Sequence, residues 1–215
     1  MRYLFILFKI FTEMNYSIDF SSYKEYDNPQ EMSNLYYEWT KDINEKRDNR
    51  IHAIEEYCGQ ISRFINSRLR GDESVYPYDD VLETIQTLLI GSPSLPTNTI
   101  LYRALPLCVI ERMILETKTQ GFYRDKGFLS TSLNIEGISN VKDVPIAKII
   151  NILRLYVPEG THGLYIEDIK GEGMGRGELE VILPRNSKII MINQSYKENE
   201  YGYRINECIL EYDNM

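Results

Sequence analysis

Two carboxylates stand two residues apart in the run Gly175-Arg-Gly-Glu178-Leu-Glu180-Val-Ile-Leu183-Pro184. Leu179 to Leu183 is apolar, rich in β-branched residues and stopped by a proline, which predicts a strand. Side chains at i and i+2 of a strand share a face. Glu178 and Glu180 should therefore stand side by side, roughly 7 Å apart at the strand rise of about 3.3 Å per residue. Leu179, Val181 and Leu183 should face a core. Paired carboxylates serve as general acids and bases or steady a positive charge. On a rigid strand fed by a loop with four glycines (Gly171, Gly173, Gly175, Gly177) they form a candidate site. The glycine spacing is not that of a dinucleotide fingerprint, and a strand comes next where a helix is required. The loop instead suits a mobile segment that approaches a substrate. Two more groups can do chemistry: Arg103 in Ile100-Leu-Tyr-Arg103-Ala, and the hydroxyl run of Gly127-Phe-Leu-Ser130-Thr131-Ser132. Taken singly, each has an ordinary structural reading: an exposed strand edge, a surface ion-pair partner, a polar strand face.

Composition narrows the chemistry. The net charge of −8 argues against nonspecific binding of nucleic acid, which needs a cationic surface. The three cysteines, Cys58, Cys108 and Cys208, are odd in number and far apart, so no disulfide framework is expected. The only histidines are His52 and His162, both expected at the solvated surface. That disfavours a zinc site and a Ser-His-Asp hydrolase. No metal is expected. Residues 1–11 are nearly all apolar, too short to span a bilayer, which takes about 20 residues. No small-x-small cleavage site comes after them, and Met14 offers a second start. Residues 1–20 form an apolar leader of uncertain status, for whose first 13 residues a signal, a packed segment and an upstream start all stay open, and secretion stays open with them. Integral membrane association is not expected.

The elements that must position these groups divide into two halves. Asn28-Pro29 caps a helix with Leu35, Trp39 and Ile43 at helical spacing. Ile51, Ile54, Tyr57, Ile61, Phe64, Ile65 and Leu69 predict a second helix, ended by Gly71. Asp79 or Asp80 caps a third, with Val81, Ile85, Leu88 and Leu89 on one face. After the breaker Gly91-Ser-Pro-Ser-Leu-Pro the period changes. Strands are predicted near 99–104, 127–132, 146–157, 163–167, 178–183, 187–195 and 201–211, with a helix near 107–118 and a terminal hairpin turning at Lys197 to Glu200. Helices over about 28–90 and then a β-rich core over about 99–212 predict an α+β fold. Residues 21–215 are expected to form a single domain.

In this order and at these spacings, Arg103, Ser130-Thr131-Ser132 and Glu178-x-Glu180 resemble the signature of mono-ADP-ribosyltransferases. The likeness is to the bacterial toxin branch that includes actin-modifying binary toxins and insecticidal exotoxins. It extends over Asn151 to Ile192, and upstream Tyr57, Ile65-Asn66 and Leu69-Arg70 resemble the family's helical pattern. The resemblance implies a two-sheet mixed β core, NAD as substrate and a monomer acting on a protein target.

The implied chemistry suits the composition. Nicotinamide leaves a pyridinium as a neutral molecule and needs no general acid. The barrier that remains is oxocarbenium-like charge on the ribose. By resemblance, Glu180 steadies that charge, Ser130 holds Glu180, and Thr131 and Ser132 support strand pairing. Arg103 would grip NAD by its phosphates or ribose, its guanidinium fork suiting phosphate geometry and never losing its charge. Arg70 would add a second phosphate contact, with Tyr57 and Asn66 lining the pocket. Glu178 implies transfer to arginine, and the glycine loop would present the target. Two departures stand out. Asn140-Val-Lys-Asp-Val lacks an arginine that relatives carry there, leaving Lys142 as a substitute, and Met174 and Arg176 occupy the loop where relatives place an aromatic. Water as acceptor, or a fold that binds NAD without chemistry, are the competing readings.

Overall fold

The structure is a computed structural model that describes residues 19–26, 28–72, 78–139, 151–169, 177–194, 198 and 202–211. Residues 1–18, Lys142, Met174, Arg176 and three of the loop glycines (Gly171, Gly173, Gly175) lie outside these described residues, as does most of the terminal hairpin turn.

Helix α1 (Pro29–Lys46) starts as its sequence predicts, with Asn28 Oδ1 accepting from the Gln30 N–H at 3.0 Å and Pro29 in the first turn. Its buried face is Met32, Tyr36, Thr40 and Ile43. Leu35 and Trp39 are only partly buried, so the stripe is rotated from the predicted one. Tyr36 decides the phase: its one hydroxyl proton lies between the carbonyls of Gly163 (2.5 Å) and Pro93 (3.1 Å), either of which can accept it, and this lets a fully buried tyrosine stay satisfied.

The single second helix expected over 51–69 is two. α2 (Asn49–Glu56) and α3 (Ser62–Leu69) are joined by a π-type turn, Tyr57–Ile61, in which Gly59 leaves helical geometry at φ −81° and ψ −140°. Such turns shift the phase of the helix beyond them. Ile65 and Asn66 turn inward and Phe64 is left exposed. α4 (Asp79–Gly91) buries Val81, Ile85, Leu88 and Leu89 as predicted, but Tyr78 is the cap residue. Asp79 and Asp80 are in the first turn, where carboxylates favour the helix dipole.

The second half holds β1 (Thr99–Ala104), α5 (Leu107–Gln120), β2 (Tyr123–Asp125), β3 (Leu129–Ser132), α6 (Ile135–Ser139), β4 (Asn151–Val157), β5 (Leu164–Tyr165), β6 (Glu180–Leu183), β7 (Ser187–Gln194) and β8 (Arg204–Glu211). The three-residue β2 and five-residue α6 were not expected. Elements this short carry too few residues to show a period. β7 and β8 pair antiparallel, as the predicted hairpin requires.

The fold is α+β, but the strands form one mixed eight-stranded sheet, β2-β7-β8-β4-β1-β3-β6-β5, where two sheets were expected. The reason lies in β1. It pairs with β4 along its whole length, from Thr99↔Val157 to Ala104↔Ile152, yet meets β3 only at Tyr102↔Ser132. The halves stay joined through one residue pair. β6 is buried on both faces: Val181 and Leu183 join the core under α1 and α5, while Ile182 joins a second core with Phe128, Leu164 and the helices α2 to α4.

Candidate functional site

The narrow joint in the sheet is where the three motifs meet. Tyr102 pairs with Ser132, and Ser132 pairs with Glu180. Arg103, Ser130 to Ser132 and Glu180 therefore lie within two residues of one level on β1, β3 and β6. The Arg103 guanidinium reaches across to donate from Nη1 to the Ser130 carbonyl at 3.1 Å. The Ser130 side chain lies close enough to the Glu180 carboxylate to favour its ionised form.

Glu178 does not stand where an extended strand would put it. β6 begins at Glu180, and the residue between the carboxylates, Leu179, has φ +51°. With Gly177 at φ +89° the chain turns through left-handed geometry just before the strand. A leucine rarely adopts that conformation, at a cost on the order of 1 kcal/mol or more. Neighbours hold it there. Glu167 accepts the Gly177 N–H on Oε1 (2.5 Å) and the Leu179 N–H on Oε2 (3.0 Å). The Leu179 carbonyl accepts from the Leu133 N–H at 3.1 Å. Ser132 Oγ donates to the Glu178 carbonyl at 2.7 Å, a different task from the strand support expected of it. Thr131 does brace the pairing, donating from Oγ1 to the Val181 carbonyl at 2.6 Å.

α6 closes over this turn. A Cβ on Gly137 would overlap Ser132 Oγ and the Glu178 carbonyl. Gly137→Ala should push the turn away from β3 and lower stability by roughly 1–3 kcal/mol, the usual cost of overpacking. Thermal denaturation of the variant checks this, and an unchanged midpoint would contradict the packing.

The floor of the site comes from the kinked helices. Tyr57 is fully buried, its ring edge-on to Phe128 at 5.7 Å between centroids. Asn66 bridges: Nδ2 donates to the Tyr57 hydroxyl (3.2 Å) and Oδ1 accepts the Phe128 N–H (2.8 Å). Arg70 donates Nε and Nη2 to the two oxygens of Asp125 at 2.9 and 3.0 Å. Asp125 also accepts the Gly127 N–H at 2.9 Å. Gly127 has no room for a side chain, since a Cβ would lie 2.7 Å from Asn66 Oδ1 and 3.0 Å from Arg70 Nη2. Asp125 and Glu167 are not among the residues that the sequence singles out. Asp125 takes its ion pair from Arg70, 55 residues away, and Glu167 takes amides 10 and 12 residues away, and neither sits in a motif.

The electrostatics set this cluster apart. The Glu180 carboxyl is pushed up to about 7, first by its enclosure in protein and then by the charges of Glu178 and Glu167. Ser130 and Arg103 pull the other way. Burial lowers the Arg103 guanidinium and raises the Tyr57 hydroxyl to about 12. Cys58 is raised by burial and by Glu180 and Glu178, so its thiol stays protonated. A carboxyl poised near neutrality, beside a guanidinium and under a second carboxylate, can offer a fixed negative charge to a cationic centre.

Other features lie elsewhere. A wide groove between α1, α2 and α4, lined by Trp39, Arg50, Glu56, Tyr78 and Asp80, shares no residue with the cluster. His52 is exposed, whereas His162 is half-buried with Nδ1 at 3.0 Å from the Ser92 carbonyl, more enclosed than expected. Among the described residues no group of three His, Cys, Asp or Glu could hold a metal, and no helix is long and apolar enough to cross a membrane.

Known proteins show the same likeness. A family described as ADP-ribosyltransferase exoenzyme matches residues 30–210. No match was found among curated proteins. Among solved structures, the C3 exoenzyme of Clostridium limosum is 23% identical with a TM-score of 0.59, over 89% of this chain and 98% of that one. C3stau2 of S. aureus, solved with NAD, is 19% identical with a TM-score of 0.62, over 89% and 100%. The toxin BECa of a C. perfringens binary enterotoxin, solved with NADH, is 21% identical with a TM-score of 0.65, over 88% of this chain and half of the longer one. At these identities the structures establish a shared fold.

Proposed function

The chain belongs to the ADP-ribosyltransferase exoenzyme family, which moves ADP-ribose from NAD, and from that premise we propose that it transfers ADP-ribose to an arginine side chain of a target protein, releasing nicotinamide. The observation that carries the arginine reading is Glu178. Its charge is felt at Glu180, and its backbone is held in place by Ser132. A guanidinium is a cation and a poor nucleophile because its pKa exceeds about 12. A second carboxylate beside the reacting ribose supports that acceptor in two ways. It pairs with the guanidinium fork and takes a proton as nitrogen attacks.

In this reading Glu180 steadies the oxocarbenium-like ribose and Ser130 fixes its rotamer. Arg103 binds NAD from within the cleft. Asp125 occupies the Nε and Nη2 edge of Arg70, so a phosphate would meet the Nη1 side. Tyr57 and Asn66 form the pocket wall. The working unit is a monomeric catalytic domain over residues 21–215, which brings NAD and the target together.

The test is nicotinamide release from NAD with and without agmatine as guanidine acceptor. Wild type should form ADP-ribosyl-agmatine. Glu178→Gln should lose that product by about 100-fold or more, the scale of a lost general base, while still hydrolysing NAD. Undiminished transfer by Glu178→Gln would remove the arginine assignment. Nicotinamide release with neither agmatine nor protein labelled would make the protein an NAD glycohydrolase.

A further inference from the structure

Glu178 is the apex of a turn whose flanking amides share one partner. Gly177 N–H and Leu179 N–H, one residue to either side, both donate to the Glu167 carboxylate, one to each oxygen. Glu167 lies just past the short β5, next to Ile166, whose N–H donates to the Glu180 carbonyl at 3.2 Å. The element that carries Glu167 is thus itself tied to the strand that carries Glu180. The turn it grips is strained at Leu179 and would relax toward extended backbone if released.

We propose that Glu167 is a positioning residue for the acceptor: by gripping both amides around Glu178 it aims that carboxylate at the incoming guanidinium, and so sets how ADP-ribose divides between arginine and water. The inference rests on the arginine-transfer reading. The Glu180 backbone depends on it less, because its place in the sheet is fixed by the strand pair with Ser132. Loss of the grip should therefore act on transfer more than on NAD cleavage. Only an ionised carboxylate provides an acceptor for each amide. A glutamine of the same shape turns its NH₂ toward one of them and loses that bond.

The experiment measures ADP-ribosyl-agmatine and free ADP-ribose for wild type, Glu167→Gln and Glu167→Ala. Hydrogen exchange is monitored at the Gly177 and Leu179 amides. Both variants should lower the ratio of transfer to hydrolysis by about tenfold or more, the scale of a small misplacement of a reacting group, with faster exchange at the two amides. A parallel fall in both products, with the ratio unchanged, would make Glu167 merely structural and overturn the inference. So would a Glu167→Gln protein that does not fold. If wild type cleaves NAD but never labels agmatine, it is the arginine reading that fails, visibly and before any variant is compared, and this inference falls with it.

Discussion

Glu180→Gln should all but abolish NAD cleavage and at the same time make the protein more stable above pH 7. Both effects come from one charge. In the proposed mechanism the carboxylate faces a developing ribose cation, and a fixed charge in such a site is typically worth about 3–4 kcal/mol, or roughly 100- to 1,000-fold in rate. Glutamine keeps the shape and loses the charge. Enclosure in protein and the nearby charges of Glu178 and Glu167 hold the Glu180 carboxyl at about 7 against an ordinary 4.5. Only the ionised form is active, so kcat/KM of wild type should rise through pH 7 and level off above it.

The sign for stability runs opposite to that for activity. Below about 4.5 the group is protonated in both the folded and the unfolded chain and contributes nothing to a difference. Between 4.5 and about 7 the folded state binds more protons, so stability falls as pH rises. The full separation corresponds to about 3 kcal/mol, an upper bound because the carboxyl keeps some contact with solvent. Glutamine escapes that loss. Its gain in melting temperature should be present at pH 8 and absent at pH 4. A rate profile flat from pH 5.5 to 8.5, or a variant active within tenfold of wild type, would contradict this assignment.

The range of each interaction decides whether a sequence betrays it. β1, α5 and the apolar face of α4 are legible because period and composition are local properties. Arg103, Ser130 and Glu180 are each weak alone, and only their joint spacing sets them apart. The structure gives that spacing a physical meaning in the register Tyr102↔Ser132 and Ser132↔Glu180. The phase slip at Gly59 is hidden because a glycine within a helical pattern is compatible with a straight helix too. The left-handed Leu179 is hidden for a deeper reason. Nothing in the type of a leucine asks for φ +51°. That conformation is imposed by Glu167 and Ser132, which lie at a distance in the chain. Treating Glu178 and Glu180 as equal members of one strand misses the distinction the fold makes between them. One is a strand residue fixed by sheet pairing, the other a turn residue fixed by side chains.

Asp125→Ala should be the most destabilising single change at the site, by about 3 kcal/mol, the lower end for breaking a buried ion pair. The Asp125 side chain is 7% exposed and its carboxylate binds three donors, two from Arg70 and the Gly127 N–H. The lower end applies because the Arg70 side chain keeps 36% of its surface open to water and can rehydrate. What it cannot recover is its orientation. Arg70 and Arg103 are close enough for each charge to oppose the other, and Asp125 offsets that repulsion. Without it the two guanidiniums should swing apart and the Gly127 N–H should lose its acceptor. In the proposed mechanism these are the groups that hold the NAD phosphates, so KM for NAD should rise about tenfold while kcat changes less. Asp125→Asn separates the two contributions. It keeps an oxygen for the Gly127 N–H and the shape of the pocket but removes the charge, so it should recover part of the stability and little of the affinity. Chemical denaturation and initial-rate kinetics on the same preparations decide the matter. If Asp125→Ala melted like wild type, or if its KM fell, Asp125 would be competing with NAD for Arg70 instead of presenting Arg70 to it.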